Sequence, residues 1–407
     1  MRIAVWHNLT SGGARRALHE HVRGLASRGH TVEAWCPPTA DRDFLPFGPE
    51  VREHVVDLQW PATPQASDQL QMTLHVRRQI EAMDSHCKAC AAAIDAGSFD
   101  VVFANTCMLF ATSAIGRFVQ TPAVMYLQEP NRELYEALPR LPWLARSTSE
   151  ASLTRPSTYR STFVEVRELR NLRVKARYEL ENAGTYRRIL VNSYFSRESV
   201  LRAYGYEAEV CYLGVDSNRF LDQELPREGY VVGLGAINPL KRLDFCIEAI
   251  SLLPEPRPKL IWIGNMATTK LLPKLRQLAD DKGVAFEPMI RVNNDELLNV
   301  LNRASVMVYA PRLEPFGLAP LEANACGVPV VAVAEGGVRE TMVDGVNGLL
   351  VPGDPGAMAA AVGRLLANPE LARQLGRNAR KAVEEQWSFD AATDRIERAL
   401  TACAAAH

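Results

Sequence analysis

Short apolar runs alternate with helix-like segments along the whole 407-residue chain. That alternation constrains the fold strongly, because it is the pattern of strand–helix–strand units wound around parallel sheets. In the first half the candidate strands are Ile3–Trp6, Val32–Trp35, Val101–Ala104, Ala123–Leu127 and Ile189–Val191. Residues 14–28 have helical spacing, stopped by Gly29-His30. In the second half the strands are Tyr230–Leu234, Leu260–Ile263, Val284–Phe286, Val306–Tyr309 and Val328–Val333. Helices fit between them at Leu243–Leu253, Lys270–Lys282, Asp295–Arg303 and Leu318–Cys326.

The break between halves falls at 216–229, where charge, proline and glycine gather without periodicity before a fresh apolar strand. The expectation is an α/β protein of two Rossmann-like, doubly wound parallel-sheet domains, 1–215 and 230–386. Ligands of such sheets bind outside the carboxyl ends of the strands, so two facing domains make a cleft. Residues 387–407 read as one more helix, expected to cross back to the first domain. Residues 131–185 break the rhythm as a helical excursion, ending in a long, basic, amphipathic helix.

A formal net charge of −1 gives no reason to expect nucleic-acid binding. No apolar run reaches the roughly eighteen residues of a membrane span. The opening MRIAVWHN enters an apolar stretch too short for a signal peptide, so a cytoplasmic location is expected. Eight cysteines do not form a disulfide framework at this length. The single CxxC, Cys87 and Cys90, lies in an Ala-rich helical stretch and reads as buried thiols.

Three glycine-bearing turns follow strands. At Thr10-Ser11-Gly12-Gly13 the backbone can approach a ligand, and the helix-start amides favour a phosphate. In GLGAINPLKRLD (233–244), Gly233 and Gly235 begin a dinucleotide fingerprint, but Asn238 stands where its third glycine belongs. Lys241 and Arg242, just before a helix, would neutralise a diphosphate. The third turn is EPFGLAPLE (314–322): Glu314 sits in the loop at the carboxyl end of the strand Val306–Tyr309, Gly317 starts a helix, and Glu322 lies on it. The first-turn amides of Phe316, Gly317 and Leu318 have no partner within their helix. A carboxylate accepts two hydrogen bonds from a vicinal diol, so two carboxylates can grip two sugar rings around an amide-lined anion site. Gly336-Gly337, between a strand and a helix, offers a further backbone anion site.

EPFGLAPLEANACGVPVVAVAEGGVRETMVDGVNGLLVP closely resembles the signature of the large retaining glycosyltransferase family that contains sucrose synthase and bacterial mannosyl- and glucosyltransferases, with the GT-B fold. The resemblance continues in VNSYFSRESVLRAYGYEAEVCYLGVD, in the N-terminal SGG turn and in YLQEPNRELYE. It implies an acceptor-binding first domain and a second domain that binds a nucleoside diphosphate sugar, UDP- or GDP-linked, without a metal or other cofactor. It also implies that Glu314 binds the donor hexose with the 316–318 amides, Glu322 the ribose and Lys241 the diphosphate. Gly12, Gly13, Gly336 and Gly337 would line the donor.

Two positions depart from that family. Ala236 stands where relatives often carry an arginine, with Arg242 as a substitute on the other side of Lys241. Gln128 stands where a donor-contacting histidine is usual, which leaves the donor sugar open, a deoxysugar included; an amide can still donate to a hydroxyl. The implied reaction is hexosyl transfer with retention to a glycan, lipid-linked or other hydroxyl acceptor in bacterial polysaccharide or glycoconjugate synthesis. The basic 160–177 stretch is compatible with peripheral contact at the inner membrane surface. A sugar-nucleotide epimerase on the same architecture, or a non-catalytic sugar-nucleotide binder, are the alternatives.

Overall fold

The computed structural model describes residues 1–65, 68–137, 141, 143–144, 156–268 and 270–405. The N-terminal sheet has seven strands: β1 (Arg2–Asn8), β2 (Thr31–Cys36), β3 (Arg52–Val55), β4 (Val101–Cys107), β5 (Ala123–Tyr126), β6 (Arg188–Val191) and β7 (Glu209–Val210). Their order is β3-β2-β1-β4-β5-β6-β7, and every pairing is parallel. The C-terminal sheet has six: β8 (Val231–Leu234), β9 (Leu260–Gly264), β10 (Phe286–Ile290), β11 (Val306–Tyr309), β12 (Val330–Val333) and β13 (Leu349–Val351). It is also parallel throughout, in the order β10-β9-β8-β11-β12-β13. Both sheets are doubly wound, and strand order reverses at β1/β4 in one and β8/β11 in the other. Parallel strands need helical crossovers that cover both faces, which is why β11 and β12 are apolar and buried at every residue.

The central strands lie where their apolar runs predict. The expected strand at Val284–Phe286 is instead Phe286–Ile290, starting two residues later. Val284 is buried, but it follows Gly283 in a left-handed turn (φ 66°) and packs as loop. β10 is an edge strand, so it tolerates both Pro288 and half-exposed side chains and carries no clean apolar signal. The same reason hides β3, β7 and β13, which are short and at or next to the sheet edges.

The chain passes between domains twice, side by side. Val215 N–H donates to Trp387 O at 2.8 Å, and Phe389 N–H donates to Val215 O at 3.0 Å. The helix Phe389–Ala404 then lies on the N-terminal domain, where Glu397 receives Arg28 at 2.6 Å and His30 at 2.7 Å. Residues 216–229 run along the C-terminal domain, with Arg227 donating to the carbonyls of Leu301, Asn302, Cys326 and Gly327. The excursion contains the helices Arg132–Tyr135 and Pro156–Ala183; much of the chain between them lies outside the described residues. The long helix docks by its C-terminal part, where Tyr178 Oη donates to Asp84 Oδ1 at 2.7 Å. Among the described residues, no helix is long and apolar enough to cross a membrane.

Cys87 and Cys90 are buried in the helix Gln69–Ala96, and burial pushes the Cys90 thiol up to about 12. Gly233 also has a packing explanation. A Cβ there would meet the Trp262 ring at 2.2 Å, and Trp262 Nε1 donates to Gly235 O at 2.8 Å. The fingerprint-like glycines therefore seat a tryptophan. Gly233→Ala should overpack this site and cost about 1–3 kcal/mol, read as a lower denaturant midpoint with an unchanged slope.

Candidate active site

Every loop picked out by the sequence emerges from the carboxyl end of a strand at or beside a point where strand order reverses. After β8, Asn238 caps the single turn Pro239–Lys241, its side chain accepting from the amides of Leu240 (3.0 Å) and Lys241 (3.2 Å). The residue in place of a third glycine thus fixes Lys241. After β11, Arg312 N–H donates to Leu240 O at 2.8 Å, tying the two switch-point loops together. Lys241 Nζ then meets Glu314 Oε2 at 2.6 Å, with both side chains about one-fifth exposed (21% and 22%). Gly317 holds φ 98° to start the helix Leu318–Ala325, against Tyr309 Oη. The Tyr309 hydroxyl is held far above its ordinary pKa, chiefly by burial and also by Glu314.

Glu322, one turn into that helix, is buried and turned toward the N-terminal domain. Its Oε1 lies 3.2 Å from Arg16 Nε. Burial raises the Glu322 pKa, while Arg16 and Arg219 pull it back down. Arg16 belongs to the helix Gly13–Ser27, so the first turns of that helix face the opposite domain. Gly12 (φ 153°) and Gly13 have open space where side chains would project.

Gln128 follows β5. Its Oε1 accepts from Asn192 Nδ2 at 2.7 Å, which leaves its own amide nitrogen to donate. Next to Asn192, Ser193 Oγ donates across the cleft to Pro315 O at 2.5 Å. The structure therefore gathers Lys241, Glu314 and the 316–318 turn, with Gln128 linked to that turn through Asn192 and Ser193.

Two groups stand apart from this arrangement. The Arg242 guanidinium turns to Glu335 at 3.6 Å and stacks on Phe245 at 4.2 Å, in a separate cluster with Arg312. Gly336 and Gly337 press on the loop that carries Glu314: a Cβ on Gly336 would meet Glu314 O at 2.3 Å, and one on Gly337 would meet Pro315 O at 2.1 Å. Gly337 N–H is spent on Glu314 O at 2.8 Å, so that amide is not free for an anion, and the pair lets this loop pack close.

Four residues at the cleft carry no marker in the sequence. Arg16 follows the glycine turn. Glu340 crosses the other way, accepting from the amides of Tyr194 (2.8 Å) and Phe195 (2.9 Å) and from Tyr212 Oη (2.8 Å), and so caps the helix Tyr194–Tyr204. Glu129 and Arg132 form an ion pair at 2.5 Å beside Gln128. The motif YLQEPNRELYE contains both residues, but nothing in its spacing says that they face another domain.

Among the described residues, one group brings three metal-type donors together: His7, Cys36 and Glu53, within 4.8 Å of one another in the N-terminal domain. Arg15 is buried beside it and its charge opposes a cation there; burial and Arg15 both depress the His7 pKa.

The family described as glycosyl transferases group 1 matches residues 217–382. The glycosyl transferase 4-like domain matches residues 12–181. Both halves of the chain are thus similar to glycosyltransferases. Its relatives include a D-inositol 3-phosphate glycosyltransferase of Geodermatophilus obscurus, 39% identical over 215 residues, 47% of this chain and 46% of that protein. One from Streptomyces bingchenggensis is 31% identical over 233 residues, 51% of each chain. The chain thus spans about half the length of the curated relatives it matches. Its fold matches sucrose-phosphate synthase from Thermosynechococcus elongatus with TM-score 0.73 over 100% of both chains, at 18% identity. Anabaena HepE in complex with UDP-glucose gives TM-score 0.68 over 99% of this chain and 100% of that one, at 18% identity.

Burial raises the Glu129 carboxyl from 4.5 to about 7; Arg132 opposes the rise, while Glu314 and Glu136 add to it. The unfolded chain releases this proton first, so the folded protein loses stability as pH climbs from about 4.5 to about 7. Glu129→Gln removes that dependence. Between about pH 5 and about pH 8, the wild-type Tm should fall relative to the Tm of the variant; a pH-independent difference would refute the raised pKa.

Proposed function

We propose that this protein is a glycosyltransferase that moves a hexosyl group from a nucleoside diphosphate sugar, with retention of configuration, to a hydroxyl of a glycan or lipid-linked acceptor in bacterial glycoconjugate synthesis. One observation carries the reading. At the β8/β11 switch point a lysine and a carboxylate sit together beside an amide-lined helix start, with an amide side chain linked to the same turn from the facing domain. Glu314 is suited to hexose hydroxyls, Glu322 to the ribose diol, and Lys241 with the 316–318 amides to the diphosphate. The Gln128 amide nitrogen is suited to a hexose hydroxyl.

The two carboxylates are neutralised by cations in this state, Glu314 by Lys241 and Glu322 by Arg16. Donor binding exchanges those pairs: the diphosphate takes Lys241, and sugar hydroxyls take the carboxylates. As the anomeric bond breaks, negative charge grows on the β-phosphate and Lys241 stabilises it in place. The acceptor attacks the same face, and its proton passes to the departing phosphate. Closure of the domains excludes water and limits hydrolysis.

Thermal unfolding with UDP-, GDP-, ADP- and dTDP-sugars should reveal the donor, because a ligand of the folded state raises Tm. If none of them does so, the proposal fails. With the donor in hand, Lys241→Ala should lower kcat by about 10²–10³, the usual loss when one well-placed donor to a developing oxyanion is removed.

A further inference from the structure

We propose that Arg132 is a positioning residue that holds the Glu314 loop in its working shape from across the cleft, so that the donor-sugar site is complete only when the domains are closed. This rests on the glycosyl-transfer reading above. The observation is a run of four consecutive carbonyl oxygens, on residues 312–315, each with a donor from another part of the chain. Arg132 Nη1 donates to Arg312 O at 3.0 Å, and Arg132 Nη2 donates to Leu313 O. Gly337 N–H donates to Glu314 O at 2.8 Å, and Ser193 Oγ donates to Pro315 O at 2.5 Å. Three of these four carbonyls are held by the N-terminal domain.

The loop needs such holding. It lies between a strand and a helix and makes no ladder of its own, and Leu313 sits at φ 46°, a left-handed backbone that a leucine adopts only under restraint. Arg132 is built for the task. Its Nε faces Glu129 Oε2 at 2.5 Å and Glu136 Oε2 at 3.7 Å, while its two terminal nitrogens take successive carbonyls. A planar fork meets these oxygens from three nitrogens at fixed spacing, an arrangement that the donors of a single ammonium nitrogen do not reproduce. Asn131 caps the short helix that presents Arg132 and donates to Glu179 at 3.1 Å, so the fork starts from a fixed base. Opening of the cleft removes three of the four restraints together, and Glu314 loses its place beside Lys241.

The test uses the full chain with the sugar nucleotide found by thermal screening, following release of the nucleoside diphosphate. Arg132→Ala should lower kcat about 100-fold, the order expected when a reacting constellation is displaced by about an ångström. Its affinity for the nucleoside diphosphate alone should change less than about threefold, because the loss falls on the reacting geometry and not on nucleotide binding. Added guanidinium ion should recover part of the rate, whereas methylammonium should not. Arg132→Lys keeps the charge but not the spaced, planar donors, and should stay low. Wild-type turnover in either variant would overturn the proposal. So would a slow, nucleotide-binding Arg132→Ala that guanidinium does not rescue. If the wild-type protein itself neither binds nor turns over any sugar nucleotide, the underlying reading fails, and with it this proposal.

Discussion

Parallel pairing imposes one constraint from which the site follows. Each crossover returns the chain to the same end of the sheet, so every loop after a strand gathers at the carboxyl edge. Where strand order reverses, neighbouring loops diverge to opposite faces and leave a crevice. In the C-terminal sheet that crevice lies between β8 and β11, and the loops leaving those strands carry Lys241 and Glu314. Residues more than seventy positions apart meet at 2.6 Å because two adjacent strands deliver them there.

The second domain supplies what one sheet cannot. The 312–315 loop has no regular structure, and its carbonyls are satisfied from outside by Arg132, Ser193 and Gly337. The reciprocal contact is Glu340, which reaches from the C-terminal domain to the exposed amides at the start of the helix Tyr194–Tyr204. A carboxylate at a helix N-terminus gains from both the hydrogen bonds and the dipole. Each domain therefore completes a polar structure in the other.

Local chemistry was legible wherever one residue type has one use. Central strands showed as buried apolar runs, and the helix starts at Gly13 and Leu318 followed from their glycines. Edge strands such as β10 and β3 were misplaced or unseen because half-exposed strands carry weak patterns. The role of Asn238 was hidden by a fingerprint that it does not complete; it is a cap. Arg242 read as a partner of Lys241 because it is adjacent in sequence, but at φ 52° its backbone turns the side chain to Glu335. Gly336 and Gly337 read as an anion site; the structure spends the Gly337 amide on Glu314 O and leaves no room for a side chain at either position against the 313–316 backbone.

The sequence by itself determined the two doubly wound sheets, the placement of Lys241, Glu314 and Glu322 at strand ends and helix starts, and the resemblance to glycosyltransferases. Those follow from periodicity, turn residues and a motif confined to a few dozen consecutive positions. The tertiary structure alone decided which charges meet: Lys241 with Glu314, Arg16 with Glu322, and Arg132 with the carbonyls before Glu314. Spacing along the chain encodes neighbours on one helix or strand. It holds no record of the angle at which two domains face, and that angle sets the cross-cleft pairs.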